Sequence, residues 1–424
     1  MSTNSNFSLI ESLDQKGKEA YDSGRYGAAL VCLEELRELG VHTIGHDFTR
    51  AQCLYLFGRI EEALALMEEL VAVEPNSPSH LFLKALLLSL YGRHNEAYQL
   101  IKKVPSDHPE MHSLRARFFL RKGEYRTGME HFLRDAFLRR PEKTEDDFAS
   151  YLASLENLPL SGKRIFIRQQ GGLGDAILFA RLIGAYHARG AHVVLGVHPL
   201  LKDIFARLPF PPEVLCTPED IERFPCDLLM SDSVAENFLA LHQDHPVRDL
   251  TLPYLFPREE YRIMWGEEMK KTAASLPRIG IHWSGQPDLY GKFLFREVPY
   301  RELLRFAEMG TLYSFQRDKG ARDVQGEDPV AVLGPRFESF EDTLGALANL
   351  DLLVTGDACI AHLAGAAGIK TALLVHMDPY FTWVGDTERS EWYPSVTVFR
   401  QKKPLSWREP IEEAFVWARQ NLML

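Results

Sequence analysis

The chain has 424 residues, of which 46% are hydrophobic and 25% charged, and its formal net charge is −11. A chain of this length exceeds one hydrophobic core, so two or three domains are expected. The acidic balance argues against a general nucleic-acid binder, because neutralising phosphates requires clustered Lys and Arg. No stretch approaches the ~18 to 20 continuous apolar residues of a membrane span, and the N-terminus lacks a secretion-signal pattern. The five cysteines fit neither a zinc pair nor a disulfide framework, which favours a reducing, cytoplasmic location.

The first third of the chain contains a repeat with a period of 34 residues. In three copies a glycine is followed five residues later by an alanine, and a fourth copy comes 31 residues on with glycine in the alanine position. The pairs are Gly24 and Ala29, Gly58 and Ala63, Gly92 and Ala97, and Gly123 and Gly128. Glycine allows a tight turn between paired helices, and alanine lets those helices approach closely.

This repeat resembles the tetratricopeptide repeat and predicts an all-α superhelix over residues 1–141, followed by a capping helix and linker over 142–162. Such arrays form concave surfaces that suit extended partner chains. A role limited to supporting or dimerising the rest of the chain stays open.

From Lys163 the pattern changes to short apolar runs alternating with helical segments. Four candidate strands precede a Pro-rich stretch and six follow it, which predicts two parallel α/β lobes over 163–258 and 259–406, with a final helix over 407–424. Loops at the carboxyl ends of parallel strands form the usual ligand site, so we expect a cleft between the two lobes.

The segment GGLGD, residues 171–175, follows the first strand and opens a helix. Its amide groups and the helix dipole favour an anion, which makes Gly172 and Gly174 candidates for binding a donor phosphate. The second strand ends without an acidic residue, and no GxxxxGK[ST] occurs, so neither a nicotinamide site nor a phosphate loop is expected. Asp175 either caps the helix or acts as a general base. The helix N-terminus should lower its pKa.

A second motif, TGDACIAHLAGAAG at residues 355–368, also joins a strand to a helix. Small residues let a diphosphate reach the N-terminal amides, where Asp357 and Ala358 lie. His362 is either structural or a contact to phosphate or acceptor. No Asp-x-Asp sequence is present to hold a divalent metal, so amides and cations must stabilise the leaving group. The candidate cations are Lys292, Arg296, Arg317 and Lys319.

The third motif is an aromatic loop, DPYFTWVGDTERSEWYPSVTVFRQ. Aromatic rings in a loop can stack on a base or sugar, or can close a core beneath it. We predict stacking for Trp383 and burial for Trp392 and Tyr393.

Taken together, QGGLGDAILFARLIGAYHARGAHVVLGVHPLL, IGIHWSGQP, SFQRDKG, DLLVTGDACIAHLAGAAG and SEWYPSVTVFRQ resemble bacterial tetratricopeptide glycosyltransferases. The transferase part is similar to heptosyltransferases of glycosyltransferase family 9, and the layout to O-GlcNAc transferases of family 41. The resemblance implies a GT-B fold, inverting transfer without metal or other cofactor, and a nucleotide sugar held mainly by the second lobe. It also implies that Asp175 is the base, and that the nucleotide or phosphate contacts are Ser284, Gln316, Asp357, Ala358 and His362.

The chain departs from the family pattern at three places. Ala358 replaces a frequent threonine, whose hydroxyl would add a hydrogen bond of roughly 0.5 to 1.5 kcal/mol. The usual Asp-Trp-Arg-Trp reads Tyr380, Phe381, Thr382, Trp383, and Glu391 replaces a proline. Because of these changes, the sequence does not identify the sugar or the nucleotide of the donor.

Three functions are compatible with this pattern. The first is glycosylation of a protein acceptor, such as a flagellin or adhesin, recruited by the repeats of an enzyme that can also form a homo-oligomer. The second is transfer to a glycolipid or oligosaccharide precursor. The third is a non-catalytic repeat scaffold with a degenerate GT-B fold.

Overall fold

A computed structural model describes residues 2–41, 43–104, 111–217, 224–246, 252–272, 277–285, 296–317, 319–385 and 388–422. Two compact units divide the chain. The first contains Met1–Arg115 and the short segment Lys402–Leu405, and the second contains Ala116–Gln286, Arg296–Gln401 and Ser406–Leu424.

The predicted helical repeats are confirmed. Successive helices form hairpins, and all four predicted glycines lie in the turns between paired helices with φ from 74° to 85°. This left-handed conformation is accessible to glycine without strain, which explains the period. The helices are α1 (Ser2–Asp22), α2 (Tyr26–Glu38), α3 (Ile44–Leu56), α4 (Ile60–Val73), α5 (Pro78–Leu90), α6 (His94–Ile101), α7 (Met111–Arg121), α8 (Tyr125–Leu138) and α9 (Glu145–Glu156).

The fourth hairpin, α7 and α8, differs from the others. At its alanine position a Cβ on Gly128 would lie 2.5 Å from Cγ of Leu120, so an alanine there would force Leu120 to move. Apolar residues of this hairpin are buried in one core with α9 and the α/β lobes. The division between the units therefore falls at Arg115, inside the predicted repeat region of 1–141, because α8 packs on a helix of the first lobe.

The first lobe contains a four-stranded parallel sheet in the order β3-β2-β1-β4. Its strands are β1 (Arg164–Arg168), β2 (His192–Gly196), β3 (Glu213–Leu215) and β4 (Leu228–Ser231). Its helices are α10 (Leu173–Ala180), α11 (Ile183–Ala188), α12 (Lys202–Phe205) and α13 (Val234–Ala240), the last of which contacts α8 and α9.

The second lobe contains a six-stranded parallel sheet in the order β10-β9-β8-β5-β6-β7. Its strands are β5 (Arg278–His282), β6 (Thr311–Ser314), β7 (Val330–Val332), β8 (Leu352–Gly356), β9 (Thr371–Val375) and β10 (Val396–Arg400). Its helices are α14 (Glu259–Thr272), α15 (Tyr300–Leu303), α16 (Phe340–Leu347), α17 (Cys359–Ala366) and α18 (Arg408–Asn421). Strands β8 and β9 are buried along their whole length, as expected for a sheet covered on both faces. Among the described helices, none has the length and apolarity needed to cross a membrane.

Candidate functional site

The glycine-rich turn links β1 to α10, and two carboxylates hold it. The amide of Gly172 donates to the carboxylate of Asp175 at 3.0 Å, so Asp175 does cap the helix. The amides of Gln170 and Gly171 donate to Asp232 Oδ1 at 2.8 and 3.2 Å. Asp175 is only partly exposed.

Asp232 is a residue that the sequence analysis missed. It is 4% exposed and follows β4, which pairs with β1 in parallel. Parallel pairing brings the two strand ends together, so an acidic residue after β4 lies beside the turn after β1. The signal available in the sequence was an acidic residue directly after a candidate strand, but the strand order was needed to use it.

The second turn links β8 to α17 in the other lobe. Asp357 is buried, and its Oδ1 accepts a hydrogen bond of 2.9 Å from the indole nitrogen of Trp383. Ala358 is the half-exposed N-cap residue of α17. His362 is 5% exposed, with Nδ1 lying 3.2 Å from the hydroxyl of Tyr393.

The two turns meet in the structure. A Cβ on Gly174 would lie 3.0 Å from Cδ2 of His362 and 3.5 Å from Cα of Cys359, so α10 and α17 pack closely at this glycine. Tyr380 completes the contact, because its hydroxyl is close enough to Asp175 to act on that carboxylate, and it lies in the field of Asp357. The geometry therefore brings Gly172, Gly174 and Asp175 to the same place as the Asp357 turn.

The electrostatics of this site differ from the expectation. Burial is the largest influence on Asp175 and raises its pKa, as do the nearby charges of Asp232 and Asp357. Hydrogen bonds from Gly172 and Tyr380 act in the opposite direction but are outweighed. The prediction of a lowered pKa is therefore wrong, because desolvation dominates over the helix N-terminus.

The neighbouring groups are perturbed in the same way. Burial raises the pKa values of Asp232 and Asp357, and Arg296 lowers that of Asp357 in part. Burial also lowers the pKa of His362 to about 3, with a contribution from Arg181. His362 is consequently a neutral imidazole near pH 7.

The ends of β5 and β6 carry two other predicted contacts. Gln316 is completely buried, and its Oε1 accepts from the amides of Trp283 and Ser284 at 3.0 and 3.1 Å. Its Nε2 donates to the carbonyl of Ser284 at 2.8 Å. Gln316 thus positions Ser284 in place of the predicted direct contact with the nucleotide. Ser284 itself is half-buried, and its side chain packs against Gly320.

One candidate cation lies at the site. A Cβ on Gly285 would be 3.7 Å from Nη2 of Arg296 and 3.8 Å from Cβ of Ala358, which places the guanidinium beside the second turn. Arg317 is exposed. Lys292 and the side chain of Lys319 lie outside the described residues. Arg296 is therefore the cation that the structure supports for stabilising a leaving group.

The prediction that Trp383 stacks on a base or sugar is wrong. Its side chain is 2% exposed, and its indole nitrogen is bonded to Asp357. Its ring packs against His362 and Tyr393, with centroids 5.0 and 5.9 Å apart. Trp392 and Tyr393 are buried as predicted. The aromatic loop thus closes the core beneath the site.

Comparisons with known proteins agree with this architecture. Residues 58–134 match the family described as anaphase-promoting complex, cyclosome, subunit 3, a tetratricopeptide-like family. A glycosyltransferase family 9 structure from Veillonella parvula DSM 2008 has a TM-score of 0.50 and 14% identity, covering 63% of this chain and 99% of its own. No curated protein sequence matches the chain.

Two further structures have lower scores. ADP-heptose lipopolysaccharide heptosyltransferase II from E. coli has 13% identity and a TM-score of 0.46, covering 61% of this chain and 98% of its own. An O-GlcNAc transferase from Thermobaculum terrenum has 13% identity and a TM-score of 0.36, covering 100% of this chain and 94% of its own. The chain combines tetratricopeptide-like repeats with the two-lobed GT-B fold.

Proposed function

We propose that this protein is an inverting glycosyltransferase that moves a sugar from a nucleotide-sugar donor to a protein acceptor. The observation that carries the proposal is the meeting of the turn at Gly172–Asp175 with the turn at Asp357–His362. The first presents a partly exposed aspartate with a raised pKa, and the second presents a helix N-terminus beside Arg296. A base and an anion site on opposite lobes are what transfer from a nucleoside diphosphate requires.

In the proposed reaction, Asp175 accepts the proton of an acceptor hydroxyl while that oxygen attacks the anomeric carbon. The bond from this carbon to the diphosphate oxygen breaks, and the nucleoside diphosphate leaves on the opposite side, which inverts the anomeric configuration. Arg296 and the first amides of α17 stabilise the negative charge on the leaving phosphate, so no metal is required. The raised pKa makes Asp175 a stronger base once it is ionised.

We propose that the repeats bind the acceptor, because stacked helical hairpins form extended binding surfaces. A peptide or protein is the kind of chain that such a surface accommodates. Transfer to a glycolipid precursor, with no transfer to protein, would contradict this part of the proposal while leaving the catalytic part intact.

The first experiment is a thermal-shift panel of UDP-, GDP-, ADP- and CMP-sugars on the full chain. A ligand present at 100 times its dissociation constant stabilises the folded state by ~2.7 kcal/mol, which is readily measured. No shift with any donor at millimolar concentration would favour the non-catalytic scaffold and refute the proposal.

The second experiment measures turnover of the active donor by Asp175→Asn. We expect kcat to fall about 10²- to 10⁴-fold, since a general base contributes roughly this much. Asp147→Asn is the matched control, because Asp147 accepts from the N-cap amide of α9 just as Asp175 accepts from that of α10. Equal turnover in the two variants would remove Asp175 from the mechanism, and loss of turnover with a chelator would contradict metal independence.

A further inference from the structure

The loop between β9 and β10 touches both turns of the site. Trp383 donates to Asp357 at 2.9 Å, and the hydroxyl of Tyr380 lies near enough to Asp175 to lower the pKa of its carboxyl. The loop therefore contacts both carboxylates, so the contacts that hold the loop in place also act on the site.

One end of this loop is held from within the second lobe. Nη2 of Arg400, at the end of β10, donates to the carbonyls of Trp383 and Gly385 at 2.8 and 2.6 Å. These bonds fix the part of the loop that follows Tyr380.

The other end is held by the fourth helical hairpin. Nη1 of Arg117 on α7 donates to Oδ2 of Asp378 at 2.5 Å, and Nη2 of Arg121 lies 3.6 Å from Oδ1. Asp378 is 2% exposed, and a buried carboxylate depends on its cationic partners far more than a surface one does. Arg117 is also close enough to Tyr380 for its charge to act on the phenol.

An aromatic contact from α8 adds to this ion pair. The ring of Phe132 lies 4.9 Å from Phe381 and 6.4 Å from Tyr380, measured between centroids. Both helices of one repeat hairpin thus contact the segment that carries Tyr380. We name the contacts of Arg117 with Asp378 and of Phe132 with Phe381 the hairpin clamp.

We propose that the fourth helical hairpin is a positioning element of the active site, which holds Tyr380 against Asp175 through the hairpin clamp. This inference deepens the proposed function and rests on it for its catalytic consequence. It assigns Arg117 a positioning role and gives the fourth hairpin a task other than binding the acceptor.

The first test does not depend on activity. Amide hydrogen exchange of residues 377–385 is compared in the full-length wild type, Arg117→Ala and Arg126→Ala. Arg126 is the matched control, because it lies on α8 and pairs with Glu156 of α9. We expect about ten-fold faster exchange in Arg117→Ala only, since local opening is governed by the contacts that close the segment. Unchanged exchange in Arg117→Ala would overturn the inference.

The second test uses the pH dependence of sugar-nucleotide turnover. The hydroxyl of Tyr380 lowers the pKa of Asp175, so removing it should move the acidic limb of the profile to higher pH. We expect Tyr380→Phe and Arg117→Ala to shift this limb alike, with no further shift in the double variant and partial recovery in Arg117→Lys.

Except for the residue that is substituted, every variant keeps the same charged and titratable groups around Asp175. They are Asp232 after β4, Asp357 before α17, Cys359 in α17 and Tyr380 in the loop. An Arg117→Ala profile identical to that of Arg126→Ala would contradict the inference. Absence of turnover in the wild type would instead refute the proposed function, and hydrogen exchange would still decide on the clamp.

Discussion

His362 links the packing of the site to a measurable loss of stability in acid. Its pKa is about 3 in the folded protein, against an ordinary value of 6.5, because burial disfavours the charged imidazolium. A group with a lowered folded-state pKa stabilises the fold above its unfolded-state pKa. That contribution is lost as the pH falls from 6.5 towards 3.

The size of the effect follows from the two pKa values. At about pH 5 the unfolded chain is almost fully protonated at this histidine, whereas the folded protein is not. The linkage relation gives a loss of about 2 kcal/mol in the free energy of unfolding between pH 8 and pH 5. Because pH 5 lies well above the pKa of His362 in the folded protein, the size of this loss depends on the pKa of His362 in the unfolded chain.

The assay is urea unfolding of wild type and His362→Gln at both pH values. All six tryptophans lie between Trp265 and Trp417, so their fluorescence follows the second lobe and the final helix. The partly buried His376, whose pKa is lowered to about 4, titrates in both proteins and cancels in the comparison. His192→Gln removes an exposed histidine and is the matched control.

We expect the wild type to lose about 2 kcal/mol more than His362→Gln between the two pH values. Any constant destabilisation caused by the substitution appears at both pH values and drops out. Equal losses in the two proteins would show that His362 is solvated or charged in the folded state, and would refute the tight packing of α10 on α17.

Three other predictions follow from the same contacts. Gly174→Ala should destabilise the protein by about 1 to 3 kcal/mol, because its Cβ would lie 3.0 Å from His362. Gly172→Ala is the control: its Cβ would make an ordinary contact of 3.4 Å, so the melting temperature should hardly change. Gly128→Ala should destabilise by a similar amount although alanine is the repeat's usual residue, and a raised unfolding midpoint in urea would contradict the 2.5 Å contact. Asp357→Asn should stabilise by roughly 0.5 to 2 kcal/mol at neutral pH, where the raised pKa makes the carboxylate costly. That gain should disappear as the pH falls to the ordinary aspartate range, which urea titrations at several pH values would reveal.

The fold was predictable from the sequence because its signals are local. The 34-residue period places Gly24, Gly58 and Gly92 in turns where a positive φ is needed, and this depends on the residue alone. The apolar runs of the lobes likewise coincide with β1 to β10, since buried parallel strands are continuous in sequence. The two turns of the site were found for the same reason, because each directly joins a strand to a helix.

The failures concern side chains whose environment is set by distant residues. The sequence shows that Trp383 lies in a loop, but not that His362 and Tyr393 enclose it. The pKa of Asp175 was misjudged because the capping interaction is local, whereas burial depends on how α10 packs in the folded protein. Asp232 was missed because only strand order brings it to the turn.

The distribution of charge supports the proposed site beyond the resemblance in sequence. Asp232 and Asp357 are buried with raised pKa values, and the nearby charge of Arg296 offsets the effect of burial on Asp357 only in part. Arg181, only 4% exposed, instead donates to the carbonyl of Trp392 at 2.7 Å, with its guanidinium carbon 4.3 Å from the centroid of Tyr393. A core selected for stability alone would pair these charges or replace them with apolar residues. Their arrangement around Asp175 is costly in the free protein and is expected where a site is built for a substrate.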